Sequence, residues 1–237
     1  MKPPFVVAAA IVLVACSHTA SPVPAASPTP ELPTAFNAEP LPTASAVITV
    51  MHDASSDTDL VAINGEPVTA TRVAGTLEAM KHDPYAPAAV TIDAAWNAEY
   101  GTVLNVCFNA VFAGYTELGL ANRVVGSAAD SSAMPGFEKE VRHGHTVFDS
   151  QNHGKLHPIS VLVNQTNTVW IDDARLPSTD LYRDMRNAVA MHRANAARGF
   201  TTRISIIADQ RADWGTIITI LDAGRRAGDD DVGFVAN

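Results

Sequence analysis

Apolar residues recur at helical spacing in Asp213–Ala227, where Trp214, Ile217, Ile218 and Leu221 fall on one face. Just before this stretch, Arg203–Ala208 is a β-branched run of strand length that ends at Asp209. Gly228 stands where a left-handed helix stop is wanted, and Val232–Val235 follows as a short strand. The same pattern occurs earlier. Val90–Leu120 aligns with Ile204–Phe234 at a constant offset and without a gap. Tyr100-Gly101-Thr102-Val103 falls on Trp214-Gly215-Thr216-Ile217, and Ala113-Gly114 on Ala227-Gly228. One unit therefore occurs twice.

The flanking patterns extend each copy. In the first, Val47–Met51 and Leu60–Ile63 read as strands, Asn64-Gly65 as a turn, and Thr71 as the cap of a helix with Val73, Leu77 and Met80 inward. Pro84 ends that helix. In the second, Ile159–Val163 and Val169–Ile171 read as strands. Pro177-Ser178-Thr179 opens a helix with Leu181, Met185, Ala188 and Val189 inward, and Gly199 closes it. The expected fold class is α/β (α+β): two β-β-α-β-α-β repeats, each a mixed sheet with two helices on one face, paired as a pseudo-dimer. The expected divisions are a signal segment over residues 1–15, a tether rich in Pro, Ala, Ser and Thr over 16–45, a first repeat over 46–122, a linker over 123–156 and a second repeat over 157–237. The linker is expected to contain an edge strand at Val141–Phe148 and a disordered run at Ser127–Gly136.

Composition changes this picture mainly at the amino terminus. The net charge is −9 without a basic cluster, which argues against nucleic acid as a partner. Phe5–Val14 is a ten-residue apolar run, half of the roughly 20 residues that a membrane span needs, and it suits a signal segment. Leu13-Val14-Ala15-Cys16 resembles the lipobox of bacterial lipoproteins. The resemblance implies cleavage before Cys16 and lipidation of that residue; Ser17 in place of Asp implies the outer membrane, facing the periplasm. The alternative is an ordinary secretory peptide. The tether cannot bury enough apolar surface to fold, and at about 3 Å per residue it reaches on the order of 70 Å. The remaining cysteine, Cys107, lies on the inner helix face and reads as a small buried hydrophobe.

Ala208-Asp209, Trp214-Gly215, Asp222 and Ala227-Gly228 together resemble the carboxy-terminal signature of the ExbD/TolR family of biopolymer-transport proteins. Val61–Met80 is similar to the upstream part of that signature. The resemblance implies a periplasmic α/β domain that tends to dimerise, a role in transport across the envelope or in its integrity, and contact with peptidoglycan or a transport complex. It does not extend to the family's amino-terminal transmembrane helix with its acidic residue, so no proton-coupled step follows from it. In the first copy Ala94-Ala95 replaces the Ala-Asp pair, and Glu99 and Asp213 stand where the family often has Pro.

Candidate chemistry is sparse. Asp209 and Asp213 are the candidate functional carboxylates, read either as a pair or as one helix cap and one dipole partner. His143 and His145, with His153 and His157 nearby, are weak metal candidates whose spacing matches no known zinc pattern. Asp229–Asp231 lacks the ligand spacing of a calcium loop. No cofactor is implied, because no phosphate loop, nucleophile elbow or dinucleotide fingerprint occurs. The expectation is thus a non-catalytic, lipid-anchored periplasmic scaffold, monomeric because its two repeats pair within one chain. The alternatives are a small-ligand-binding lipoprotein with a pocket between the repeats, and, last, a metal-dependent enzyme using the linker histidines.

Overall fold

A computed structural model describes residues 29–35, 44–81, 88–121, 123–124, 156–195, 201–228 and 232–235. The fold is α+β; among the described residues it has two mixed five-stranded sheets and four helices of eight residues or more.

In the first half β2 (Ala46–Asp53) and β3 (Thr58–Ile63) form a hairpin, and β4 (Glu66–Val68) adds to its edge. Asn64 and Gly65 join β3 to β4 with φ of 50° and 85°, the left-handed pair that a tight hairpin turn requires. Helix α1 (Val73–Met80) follows, then β5 (Ala89–Ala94), α2 (Tyr100–Phe112) and β6 (Glu117–Leu120). The strand order is β4-β3-β2-β5-β6, with β5 parallel to both neighbours. Alternate residues of β2, Ala46, Ile48 and Val50, are buried, as a sheet with one face on the core requires.

The second half contains β8 (Leu156–Val163), β9 (Val169–Ile171), β10 (Ala174–Arg175), α3 (Leu181–Asn195), β11 (Thr201–Ala208), α4 (Trp214–Arg226) and β12 (Val232–Val235). Its strand order is β10-β9-β8-β11-β12, again with the central crossover strand parallel to both neighbours. The registers correspond as well. Val50 lies opposite Val61 and Ala94, and Val163 lies opposite Val169 and Ala208. Buried side chains of both halves join in one apolar cluster that includes Ile48, Val103, Cys107, Ile206, Ile217 and Leu221.

Several expectations shift. Thr71 does not cap α1: it lies in a short 3-10 turn, Ala70–Arg72, with its hydroxyl 3.2 Å from that of Thr69, and Arg72 is the cap residue. Helix α3 opens after a 3-10 turn at Ser178–Asp180, and the Asp180 carboxylate accepts the Arg183 backbone N–H. Helix α1 ends at Met80 and α3 at Asn195. Pro84 and Gly199 lie outside the described residues, as do Val141–Phe148 and Ser127–Gly136. Gly114 and Gly228 close α2 and α4 with φ of 82° and 87°. The residues expected to be free tether are in part docked. The Glu31 carbonyl accepts the Trp96 N–H at 2.7 Å, Pro33 is buried, and β1 (Thr34–Ala35) pairs in parallel with β7 (Arg123–Val124), which falls in the expected linker. These residues have backbone partners in the folded body, which a solvated linker would lack.

Candidate functional site at the seam between the halves

The two halves meet where α2 and α4 begin. Glu99 and Asp213 are the residues before these helices, and their extended backbones form an antiparallel bridge. Four backbone bonds flank it in reciprocal pairs. Tyr100 donates to the Ala212 carbonyl and Trp214 to that of Ala98, each at 2.8 Å. Gly101 donates to Gln210 at 2.9 Å, and Gly215 to Trp96 at 2.7 Å. The first N–H groups of a helix have no intrahelical acceptor, so each half supplies the carbonyls that the other's helix lacks. Both glycines permit the approach. A Cβ on Gly101 would stand 2.9 Å from Gln210 Cβ, and one on Gly215 would stand 3.0 Å from the Trp96 oxygen.

Titratable side chains gather at this seam. Asp59, whose side chain is fully buried, accepts the Glu99 backbone N–H at 2.8 Å. In the second half Asn167 does the same for Asp213 at 2.7 Å, and its amide donates back to the Asp213 carboxylate at 2.6 Å. The first half differs in the length of its β2–β3 hairpin, which runs out to Asp53 and Thr58, whereas β8 stops at Val163 and β9 resumes at Val169. The longer arm carries His52, whose Nδ1 is 3.2 Å from Asp59 and whose Nε2 is 3.7 Å from Asp57. Burial, reinforced by the Asp59 charge, pushes the Glu99 carboxyl above its ordinary value, against the pull of Arg211 and His52. Burial also raises Asp213, opposed by the Asn167 hydrogen bond and by His52.

The sequence-derived candidates separate here. Asp213 belongs to the seam, but it caps nothing with its side chain. Asp209 is exposed and accepts the Arg211 backbone N–H in a local turn. The two have different partners: the Asn167 amide holds the Asp213 carboxylate, and the Arg211 N–H holds that of Asp209. Cys16, His143, His145, His153 and Asp229–Asp231 lie outside the described residues, and only the backbone of His157 is described. Among the described residues no three His, Cys, Asp or Glu are grouped to hold a metal ion, and no helix is long and apolar enough to cross a membrane. Cys107 is fully buried, and burial pushes its thiol far up. His52, Asp59 and Asn167 were missed in the sequence; the one available signal was the extra length between Met51 and Leu60.

An open cavity of about 470 Å³ lies beside the seam, with Trp96 on one side and Asp180, Tyr182 and Thr216 on the other. Much of its polar lining is already engaged. Gly215 N–H bonds Trp96, the Thr219 hydroxyl bonds the Gly215 carbonyl, and Asp180 pairs with Arg183 at 3.3 Å.

The seam carboxylates make stability depend on pH in a defined direction. A carboxyl raised in the folded state holds its proton more tightly there than in the unfolded chain. Stability from Glu99 and Asp213 is therefore greatest in acid and falls as pH rises from the ordinary carboxylate range through their raised values. Glu99→Gln is expected to be more stable than the wild type at about pH 8, with the difference vanishing near about pH 4. Urea melts at the two pH values measure this, and an equal difference at both would contradict it. No family model matches the chain, and no curated protein matches it.

Proposed function

We propose that this chain is a non-catalytic, lipid-anchored scaffold of the periplasmic face of a bacterial envelope, built from two ExbD/TolR-like units fused as a pseudo-dimer. The observation that carries the reading is the reciprocal seam. Each of the four bonds has its counterpart under the repeat offset: Tyr100 to Ala212 with Trp214 to Ala98, and Gly101 to Gln210 with Gly215 to Trp96. Separate chains of a dimerising family would make such contacts across a two-fold axis, and a fusion makes them at high effective concentration. The seam also spends its polar groups on one another, which leaves a framework rather than a reaction centre. Held by an acylated Cys16, the folded part would sit beneath the outer membrane and offer its outward surfaces to a transport complex or to peptidoglycan.

Two measurements test this. Metabolic labelling with a fatty acid should mark the wild type and not Cys16→Ser; an unlabelled wild type removes the anchor. Light scattering on the unlipidated chain should give a monomer mass. A dimer whose halves do not touch within one chain would remove the fused-pair reading.

A further inference from the structure

On its way to β2 the chain crosses the seam. Glu31–Ala35 forms a short strap that touches both halves. On the first half, the Glu31 carbonyl accepts the Trp96 N–H at 2.7 Å, and β1 pairs in parallel with β7, Thr34 beside Arg123 and Ala35 beside Val124. On the second half, β1 lies against α4. Glu31, Leu32 and Pro33 line the open cavity of about 470 Å³ together with Gly215, Thr216 and Thr219 of that helix. Trp96 links the two sides. Its N–H goes to the strap, and its carbonyl accepts the Gly215 N–H at the start of α4. One residue thus carries a bond to the strap and a bond to the second half.

The local sequence suits this crossing. Leu32 precedes a proline, which disfavours helical backbone and keeps the residue extended. Pro33 is buried and has no N–H, so it enters the contact without stranding a donor. The hold is nonetheless slight. β1 is two residues long, Glu31 is exposed, and the cavity keeps the strap from packing closely on α3 and α4. A segment with few buried contacts opens at a small fraction of the free energy of global unfolding. Tyr100 and Trp214 are held differently: both are 1 % exposed, and their N–H groups donate across the seam itself.

We propose that Glu31–Ala35 is a latch that opens on its own while the two halves stay joined. Closed, it bridges the halves and takes a pull from the amino terminus before β2 does. It then leaves residues 17–30 alone to cover the distance from Cys16, no more than about 40 Å at about 3 Å per residue. Open, it returns the run up to residue 45, and the reach about doubles. The change in reach rests on the acylated Cys16 proposed above. The latch itself does not, and its test needs no lipid.

The test is amide hydrogen exchange on the whole unlipidated chain, read by NMR at the backbone N–H groups of Trp96, Tyr100 and Trp214. Trp96 should exchange more slowly than a free amide, at a rate that low urea leaves unchanged. Tyr100 and Trp214 should exchange faster as urea rises, because they open with the whole fold. Pro33→Asp places a charge at the buried position and should speed Trp96 exchange about tenfold, with Tyr100 and Trp214 within about twofold of the wild type. The same variant should shift the amide resonances of Thr216 and Thr219 on α4. A wild-type Trp96 amide as fast as a free one would show that the latch does not close. One that exchanges only together with Tyr100 and Trp214 would show that it does not open alone. Either result overturns the proposal without recourse to a variant. So would unchanged Trp96 exchange in Pro33→Asp, or unmoved Thr216 and Thr219 signals once that exchange has risen.

Discussion

Replacing Gly101 and Gly215 together by valine is expected to force the halves apart. A Cβ at Gly101 meets the Gln210 side chain and backbone, and one at Gly215 meets the Trp96 carbonyl at 3.0 Å. Neither neighbour is the loose end of a flexible chain; both lie in segments whose backbone is tied to the opposite helix. Overpacking typically costs about 1–3 kcal/mol per site, and each site here also loses the hydrogen bonds of a helix start. The two sites share one seam, so their effects should not simply add. A double-mutant cycle in denaturant gives the coupling directly. If each valine alone opens the seam, the second will cost much less than the first. Costs that add in full would mean the bonds act separately.

Trp214→Ala should lose about 3–5 kcal/mol, the usual toll for truncating a buried aromatic residue. Trp214 is 1 % exposed, and so is its counterpart Tyr100. Each ring is buried at the start of a helix whose first N–H crosses to the other half. Both truncations should therefore lower the melting temperature of the whole chain in a single transition. Two separate transitions would show that the halves melt independently, contrary to the single shared core.

Much of the fold was legible because its signals are local. The Val90–Leu120 and Ile204–Phe234 units carry their own periodicity, and their glycine stops are fixed by backbone handedness. The short strands β4 and β10, three and two residues long, have too few positions to show an alternation. The docking of Glu31–Ala35 was hidden for another reason: it depends on backbone groups of a polar, proline-rich stretch, which composition reads as unfolded. The site was less legible still. Gly101 and Gly215 were visible as aligned residues, but the need for them arises from Gln210 and Trp96 in the opposite half. The seam bonds join main-chain atoms, so no side-chain pattern records them. Asp209 was noticed as part of a pair with Asp213. In the structure it lines an open groove beside Trp170, whose floor combines residues from three strands.

The longer arm of the first half has one more consequence. His52 and Asp59 ride on it, and the second half offers Asn167 where Asp59 stands. Two copies of the first half set face to face would bring two Asp59–Glu99 pairs together, four acidic groups in one crowded place. Two copies of the second half would have no histidine there at all. The seam is therefore electrostatically unequal on its two sides: one carries a histidine and a buried carboxylate, the other a neutral amide, and only the pairing of unlike halves keeps the acidic groups from doubling up.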